Sequence, residues 1–204
     1  MKGLKIMKKV VFFLFGLVIF AGLYSRDVNV AAGLTFPRIS NQDGTFGFNI
    51  SASENLQYRD AIILEPGVRI KHLRQFDKTD WGLSSYETTL NMYYLDLFCR
   101  AKFDLMENVN SQIKYLPFVG MGVGLFMSGK TKEKTKFDGN TSNDSENLKG
   151  TNTFVLSLIL GMELPINEKY TFIVEYNRAL NSLLEDVTVR SSTLMLNVSY
   201  LLKI

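Results

Sequence analysis

The sequence predicts an all-β protein: an eight-stranded antiparallel up-and-down transmembrane β-barrel that follows an N-terminal export segment. Three observations lead to this fold class. Apolar residues alternate with other residues in eight separate stretches, and no stretch shows sustained helical spacing. One face of each predicted strand is almost entirely apolar, whereas the opposite faces carry ionised groups. The residues before the first strand combine lysines with a short apolar run.

The N-terminus predicts a secretory signal peptide over residues 1–25. Four lysines lie within the first nine residues, and an apolar run of 14 residues follows from Val10 to Leu23. A spanning helix needs roughly 20 apolar residues, so the run favours a signal peptide cleaved near Ser25 over an uncleaved anchor. No cysteine closes the run, which excludes lipid attachment there. We therefore expect one exported domain, residues 26–204.

The eight stretches with period-two alternation are separated by clusters of Gly, Asn, Asp and Ser, which form turns. They are residues 28–36, 45–53, 61–71, 92–103, 115–127, 153–164, 171–180 and 193–204. In chain order, their apolar faces include Val28 and Leu34, Phe48 and Ile50, Val68 and Ile70, Leu95 and Phe103, Val119 and Met121, Leu156 and Leu160, Phe172 and Val174, and Leu196 and Val198. Regular return of short alternating strands predicts a single sheet that closes on itself.

The opposite faces decide between a soluble barrel and a membrane barrel. They carry many ionised residues, including Glu65, Arg69, Asp96, Arg100, Lys102, Glu163 and Glu175. A soluble core would have to bury these charges at a cost of several kcal/mol each unless they were paired. A membrane barrel inverts the pattern, with an apolar exterior and a polar lumen. We therefore predict a structural luminal charge network, and we favour it over a conducting pore because eight strands leave room only for side chains.

The connections predict which side of the membrane each end of the barrel faces. With eight strands, alternate connections share a side, and the second, fourth and sixth connections are short. The third and fifth, residues 72–89 and 128–150, are long and polar, which predicts that they are external loops. At the opposite end, a membrane-interface girdle of aromatic residues is predicted at Phe103, Tyr115, Tyr170 and Tyr200.

Several stretches resemble a known family. "YLDLFCRAKF", "YLPFVGMGVGLFM" and "FVLSLILGMELPINEKYTFIVEYNRALNSL", followed by the last strand, resemble the PorT-like family of small outer-membrane β-barrels. The resemblance covers nearly all of the mature chain and implies an eight-stranded barrel, and some members of that family are tied to protein secretion. Such barrels commonly end in an aromatic residue, whereas this chain ends in Ile204.

Three stretches suggest chemistry or binding. His72 lies in a predicted loop with Asp77, Asp80, Ser84 and Ser85, which are the residue types of a Ser-His-Asp triad, but only geometry makes a triad. The glycines of "VGMGVGLF" are not followed by Lys-Ser/Thr, so close packing in the lumen explains them better than a phosphate loop does. The basic stretch "KTKEKTK" could bind an anionic surface, although a solvated loop is the simpler interpretation.

Composition limits the function classes. One cysteine, Cys99, and one histidine give no support for a disulfide, a metal site or a cofactor, and a net charge of +3 gives none for nucleic acid. We expect a non-enzymatic protein of the outer membrane of a Gram-negative-type (diderm) bacterium, with an envelope-structural, adhesion or partner-binding role. The alternatives are an accessory component of secretion and a lipid-modifying barrel enzyme. Expected partners are outer-membrane lipid, the barrel-assembly machinery during insertion, and a surface or secretion partner.

Overall fold

The computed structural model describes residues 27–39, 42–43, 45–59, 61–82, 84–104, 115–138, 140–148, 153–183 and 191–203. The predicted signal peptide and Ile204 lie outside the described residues. The strands are β1 Asp27–Ile39, β2 Gln42–Asp43, β3 Gly47–Ser53, β4 Leu56–Arg59, β5 Ile62–Asp80, β6 Ser84–Phe103, β7 Leu116–Phe137, β8 Asn140–Asn147, β9 Phe154–Pro165, β10 Tyr170–Ala179 and β11 Ser191–Lys203. Within these ranges, no helix is long and apolar enough to cross a membrane.

Eight of the strands form a closed antiparallel ring in the order β1-β3-β5-β6-β7-β9-β10-β11. The ring closes between the first and last strands, which pair from Asp27 opposite Lys203 to Ile39 opposite Ser191. Each ring strand neighbours the next one along the chain, so the predicted eight-stranded up-and-down barrel is confirmed. Of the remaining strands, β2 pairs with the end of β1, β4 pairs with β5 after β3 ends, and β8 pairs with β7.

Side chains alternate between the outside and the inside of the ring. On β11, Leu194 and Val198 are 42% and 48% exposed, whereas the intervening Asn197 is 4% exposed. The same holds on β1 and β3, where Leu34, Phe48 and neighbouring apolar side chains point outward. An exterior of exposed hydrocarbon around a polar interior is the arrangement of a barrel whose surroundings are lipid.

Three ring strands are much longer than the sequence predicts. β5, β6 and β7 contain 19, 20 and 22 residues, and most of residues 72–89 and 128–150 is paired strand where loops are predicted. Pairing continues to Asp80 opposite Ser85 and to Phe137 opposite Asn140. The prediction of loops is wrong because it followed the apolar alternation. Outside a bilayer both faces of a strand meet water, so that alternation stops while backbone pairing continues.

The protruding strands form a second, smaller sheet, which we name the surface sheet: residues 74–80, 84–91, 130–137 and 140–147 of β5, β6, β7 and β8. A β-bulge separates it from the barrel. Tyr93 pairs with Ser128 and Tyr94 with Phe126, so Met127 is the extra residue. Bulges bend a strand locally and increase its twist, and this one therefore sets the direction in which the surface sheet leaves the barrel.

Shortening the outermost hairpin should leave the barrel intact. Lys134 and Asn143 are Cα partners, so residues 135–142 can be replaced by a two-residue Asn-Gly turn without changing the register. We expect this variant to keep the heat-modifiable gel migration of a folded barrel. Deletion of residues 198–203, which pair with β1, is the matched control and should abolish it. Loss of the folded band in the hairpin variant would contradict this division between barrel and surface sheet.

Candidate functional site

The centre of the barrel is an ion-pair cluster around Glu175. This β10 carboxylate is 0% exposed, and Arg69 Nη1 of β5 donates to its Oε1 over 2.6 Å. Arg100 Nη1 of β6 donates to Glu175 Oε2 over 3.1 Å. Two guanidinium groups from neighbouring strands therefore share one carboxylate that belongs to a strand across the lumen. The interaction ties β5 and β6 to β10.

A second part of the cluster lies towards the end of the barrel at which Asp27 and Lys203 pair. Arg100 Nε donates to Glu65 Oε2 over 2.6 Å, and Ser53 Oγ donates to the other oxygen of Glu65 over 2.6 Å. Lys102 Nζ lies 3.1 Å from Glu65 Oε2 and 2.8 Å from Glu163 Oε1. All of these side chains are buried. Each carboxylate therefore meets at least one cation within hydrogen-bond distance, as buried charges require.

The structure adds Lys71, which is absent from the seven residues singled out in the sequence. Its Nζ lies 2.8 Å from Asp96 Oδ2, in an ion pair that lacks good hydrogen-bond geometry. Six of the seven residues join in one cluster around Arg100, while Asp96 pairs with Lys71 instead. With Lys71, these eight residues comprise four cations and four anions. The buried Glu54 lies near the same region, with its Oε2 unpartnered among the described residues.

Aromatic rings complete the environment of the guanidinium groups. Arg69 and Arg100 lie over the Phe98 ring, with Cζ 4.7 and 5.0 Å from its centroid. Arg100 also lies 4.7 Å from the centroid of Phe118. The face of an aromatic ring attracts a cation, most strongly where water is excluded. The sequence prediction of a polar lumen missed this contribution, because Phe98 and Phe118 interrupt the polar positions of their strands.

Lumen-facing glycines make room for these side chains. A Cβ at Gly124 would lie 2.7 Å from Asp96 Oδ1, and one at Gly120 would lie 3.0 Å from Arg100 Cγ. Both glycines are in the middle of β7, opposite the strand that carries the two charged residues. They are extended strand residues that admit close neighbours, which agrees with the packing interpretation of "VGMGVGLF".

A cluster of buried apolar side chains lies in the lumen at the end from which the surface sheet protrudes. The buried cluster consists of Leu73, Met92, Tyr94, Val155, Ala179 and Leu183. On β5, Leu73 is the next inward position after Lys71, and on β6, Tyr94 is the next after Asp96. The cluster, which we name the apolar plug, therefore lies directly beyond the ion pairs. Leu90, Phe126 and Leu148 pack against it.

The four aromatic residues predicted for the membrane interface all lie at the end of the barrel at which Asp27 and Lys203 pair. Tyr170 and Tyr200 are Cα partners whose ring centroids are 5.2 Å apart. Phe103 is the last residue of β6 and pairs with Ile62, the first residue of β5. Tyr115 directly precedes β7. Their role as a girdle stays a prediction.

His72 is a strand residue and does not meet the other members of the suggested triad. It lies on β5, with Nε2 3.3 Å from Asn91 Oδ1 and its ring stacked 4.6 Å from that of Tyr93. Asp80 pairs with Ser85 at the far end of the hairpin, about 26 Å away along the strand at about 3.3 Å per residue. The structure therefore separates the three residue types, and sequence proximity was misleading because the strand is extended.

The described residues offer no metal site, since no group of three His, Cys, Asp or Glu side chains among them could hold an ion. Cys99 is a free thiol on β6, half-buried, and its strand position is on the outer face. The chemistry of this site is therefore charge pairing, in which each carboxylate serves to hold a cation and two strands together.

Removing the central carboxylate should destabilise the barrel strongly. In a Glu175→Gln variant, Arg69 and Arg100 would face a neutral amide in a buried site, and breaking such a pair costs about 3–5 kcal/mol. Urea unfolding of the reconstituted barrel in lipid vesicles measures the change. Glu87→Gln is the control: it breaks the partly exposed Lys134–Glu87 pair of 3.7 Å and should cost less than about 1 kcal/mol.

A double variant separates charge balance from packing. Removing Arg69 and Glu175 together, as Arg69→Gln with Glu175→Gln, restores neutrality and leaves Arg100 paired with Glu65. We expect its loss of stability to be smaller than that of Glu175→Gln alone. Equal losses from Glu175→Gln and Glu87→Gln would contradict the importance of the buried network.

Comparison with known proteins agrees with this architecture. The family described as outer membrane protein beta-barrel domain matches residues 21–185. Neisserial surface protein A is 16% identical, with 87% of this chain and 96% of that chain covered and a TM-score of 0.50. The attachment invasion locus protein Ail of Yersinia pestis is 15% identical, with 87% and 99% covered and a TM-score of 0.44. No curated protein sequence matches the chain significantly.

At this identity, the solved structures show the fold alone. The family match supports an outer-membrane barrel, and it does not support the narrower PorT-like assignment. Because the family match spans most of the chain and the ring of eight strands is the architecture that it describes, this chain belongs to the outer membrane protein beta-barrel domain family and resides in the outer membrane of a Gram-negative bacterium.

Proposed function

We propose that this protein is a non-enzymatic outer-membrane barrel that is closed to solutes and that presents the surface sheet to a partner outside the cell. The observation that carries the proposal is the combination of a lumen that holds buried ion pairs and the apolar plug with a paired sheet that protrudes from the barrel. A barrel that conducts or transports needs an open lumen, whereas a barrel that supports a binding surface does not.

Two features of the lumen support the proposal that the barrel is closed to solutes. The ion pairs around Glu175 fill its middle, and side chains there, including Arg69, Arg100 and Glu163, are at most 5% exposed. The apolar plug lies between them and the external end, and apolar constrictions block ions by excluding water. An ion entering the barrel would have to displace both layers.

The surface sheet supports partner binding. Its strands pair continuously with the barrel strands through β5, β6 and β7, so the binding surface is ordered before a partner arrives. Ordering in advance lowers the entropy cost of association. Exposed apolar side chains lie at its tips: Trp81 is 70% exposed and Phe137 is 65% exposed. Aromatic residues of this kind are frequent anchors at protein interfaces.

We propose two further partners in addition to the one that binds the surface sheet. Outer-membrane lipid covers the apolar exterior, and the barrel-assembly machinery binds the chain during insertion. The last ring strand, β11, carries an outward apolar face, including Leu194 and Val198, which assembly machinery can recognise before the ring closes. A component of protein secretion, as in the PorT-like resemblance, is the alternative that the experiments must separate.

Reconstituted protein should not admit small solutes. Lipid vesicles that contain the barrel should take up a small sugar no faster than empty vesicles, because two side-chain layers fill the lumen. Vesicles that contain a general porin are the positive control. Uptake well above the empty vesicles would contradict the proposed closure while leaving the fold unaffected.

The shortened hairpin tests the role of the surface sheet. Cells that produce the variant lacking residues 135–142 should attach to heparin-coated plates about tenfold less than cells with the full chain, because the variant loses the exposed Lys136 and Phe137. Secreted protein in the medium should not change. Normal attachment with stalled secretion would contradict the proposal and favour the secretion alternative.

An activity control addresses the lipid-modifying alternative. His72→Ala should leave the acylation pattern of envelope lipids unchanged, measured by mass spectrometry of extracted lipids, since the His72 ring contacts Asn91, Phe48 and Tyr93, and its nitrogens meet no carboxylate or serine hydroxyl among the described contacts. A lipid change in this variant, with the barrel still folded, would contradict the non-enzymatic role.

A further inference from the structure

The outward face of the surface sheet is organised in rows of Cα partners, which lie side by side on one face of an antiparallel sheet. Starting at the barrel, the four rows are Arg74, Asn91, Lys130 and Asn147; Phe76, Thr89, Lys132 and Ser145; Lys78, Glu87, Lys134 and Asn143; and Asp80, Ser85, Lys136 and Thr141. We number them row 1 to row 4. This face continues the lipid-facing side of the barrel, because Tyr93 and Ser128 precede row 1 on the same side.

Unpaired positive charge is concentrated close to the barrel. In rows 3 and 4, Lys78 lies 3.0 Å from Asp80 and Lys134 lies 3.7 Å from Glu87, which leaves Lys136 as the cation of these rows without an ion pair among the described residues. Rows 1 and 2 contain Arg74, Lys130 and Lys132 but no acidic residue. Among the described residues, no ion pair involves these three cations. The opposite face of the sheet is acidic, with Glu133, Asp144 and Glu146.

Row 1 lies directly above an aromatic patch on the barrel exterior, which we name the aromatic ledge: Phe48, His72 and Tyr93. The His72 ring stacks on Tyr93 at 4.6 Å and lies 5.1 Å from Phe48. Aromatic side chains of this kind lie at the level of lipid headgroups. With a rise of about 3.3 Å per residue and a strand tilt of about 40°, row 1 is about 5 Å beyond Tyr93 and row 4 about 20 Å beyond it.

A depression connects the ledge to row 1. It has a volume of about 280 Å³, and its lining includes Tyr93, Asn91, Lys130, Lys132 and Asn147. The lining combines an aromatic ring, two amides and two ammonium groups. Amides and an aromatic face suit a saccharide, whereas ammonium and guanidinium groups suit phosphate. The combination lies at the height where a lipid headgroup leaves the hydrocarbon.

We propose that row 1, together with the aromatic ledge, is a binding site for the phosphorylated saccharide headgroup of an outer-leaflet lipid. Arg74 and Lys130 bind the phosphates, Asn91 and Asn147 bind the sugar hydroxyls, and the acyl chains lie against the apolar exterior below Tyr93. The inference rests on the outer-membrane location and not on partner binding by the hairpin tip. A soluble polyanion offers the same phosphate chemistry, but it would meet the lysines of all four rows equally.

Native mass spectrometry of the full-length barrel in neutral detergent tests the site. The ligands are lipid A, which is an acylated disaccharide with two phosphates, its dephosphorylated form, and inositol hexakisphosphate as the soluble polyanion. The variant Arg74→Gln with Lys130→Gln should bind lipid A at least about tenfold more weakly than the unmodified protein. Dephosphorylated lipid A should bind both proteins with the same lower affinity.

The matched control is Lys134→Gln with Lys136→Gln, which removes the same charge from the same face but farther from the membrane. Its lipid A affinity should change less than about twofold, because these positions are solvated and the first is already paired. The swap Arg74→Lys with Lys130→Arg keeps the charge and should retain binding. Heat-modifiable migration shows that every variant is folded.

Two outcomes would overturn the proposal. Either equal weakening of lipid A binding by the two glutamine pairs, or none by the row 1 pair, would remove the headgroup site. If both pairs weakened inositol hexakisphosphate binding alone, the face would be a general surface for soluble polyanions. In each case the attachment experiment with the shortened hairpin would still decide the proposed partner-binding role, because that hairpin retains rows 1 to 3.

Discussion

The structure depends on the exclusion of water from two sides of a single sheet. Lipid cannot hydrogen-bond to backbone groups, so the sheet must close, and the closed ring in turn encloses charged side chains that must neutralise one another. Glu175 meets both demands, because its contacts with Arg69 and Arg100 cross the lumen between strands that are not neighbours. The exclusion of water therefore requires both the closure of the sheet and the neutralisation of the charges that it encloses.

The same constraint explains how much the sequence predicts. Eight strands, their order and their inward charges follow from alternation, because lipid and lumen impose opposite polarity on successive residues. Beyond the bilayer that difference in polarity ends, and so residues 72–89 and 128–150 look like loops although most of them form strands. Pairing there depends on the backbone register of the hairpins, from Asp80 opposite Ser85 and from Phe137 opposite Asn140, and composition does not encode that register.

The partner of each inward side chain also cannot be predicted from the sequence. Lys71 has the right polarity and strand position, yet only the structure shows that its partner is Asp96 of the next strand. Phe98 and Phe118 occupy inward positions where a polar residue is expected, and their purpose becomes visible only when two guanidinium groups lie over them. Spacing along one strand gives the face of a residue, whereas its partner depends on the curvature of the whole ring.

The pairing of β1 with β11 has a consequence for how the protein forms. These strands lie at opposite ends of the described chain, and yet they pair without interruption along the whole of β1, from Asp27 to Ile39. Contacts between residues so distant in sequence make folding slow, since a long chain must be gathered before they are made. Until the final strand arrives, β1 offers an unsatisfied edge. A chaperone that covers this edge would protect the newly made protein against aggregation.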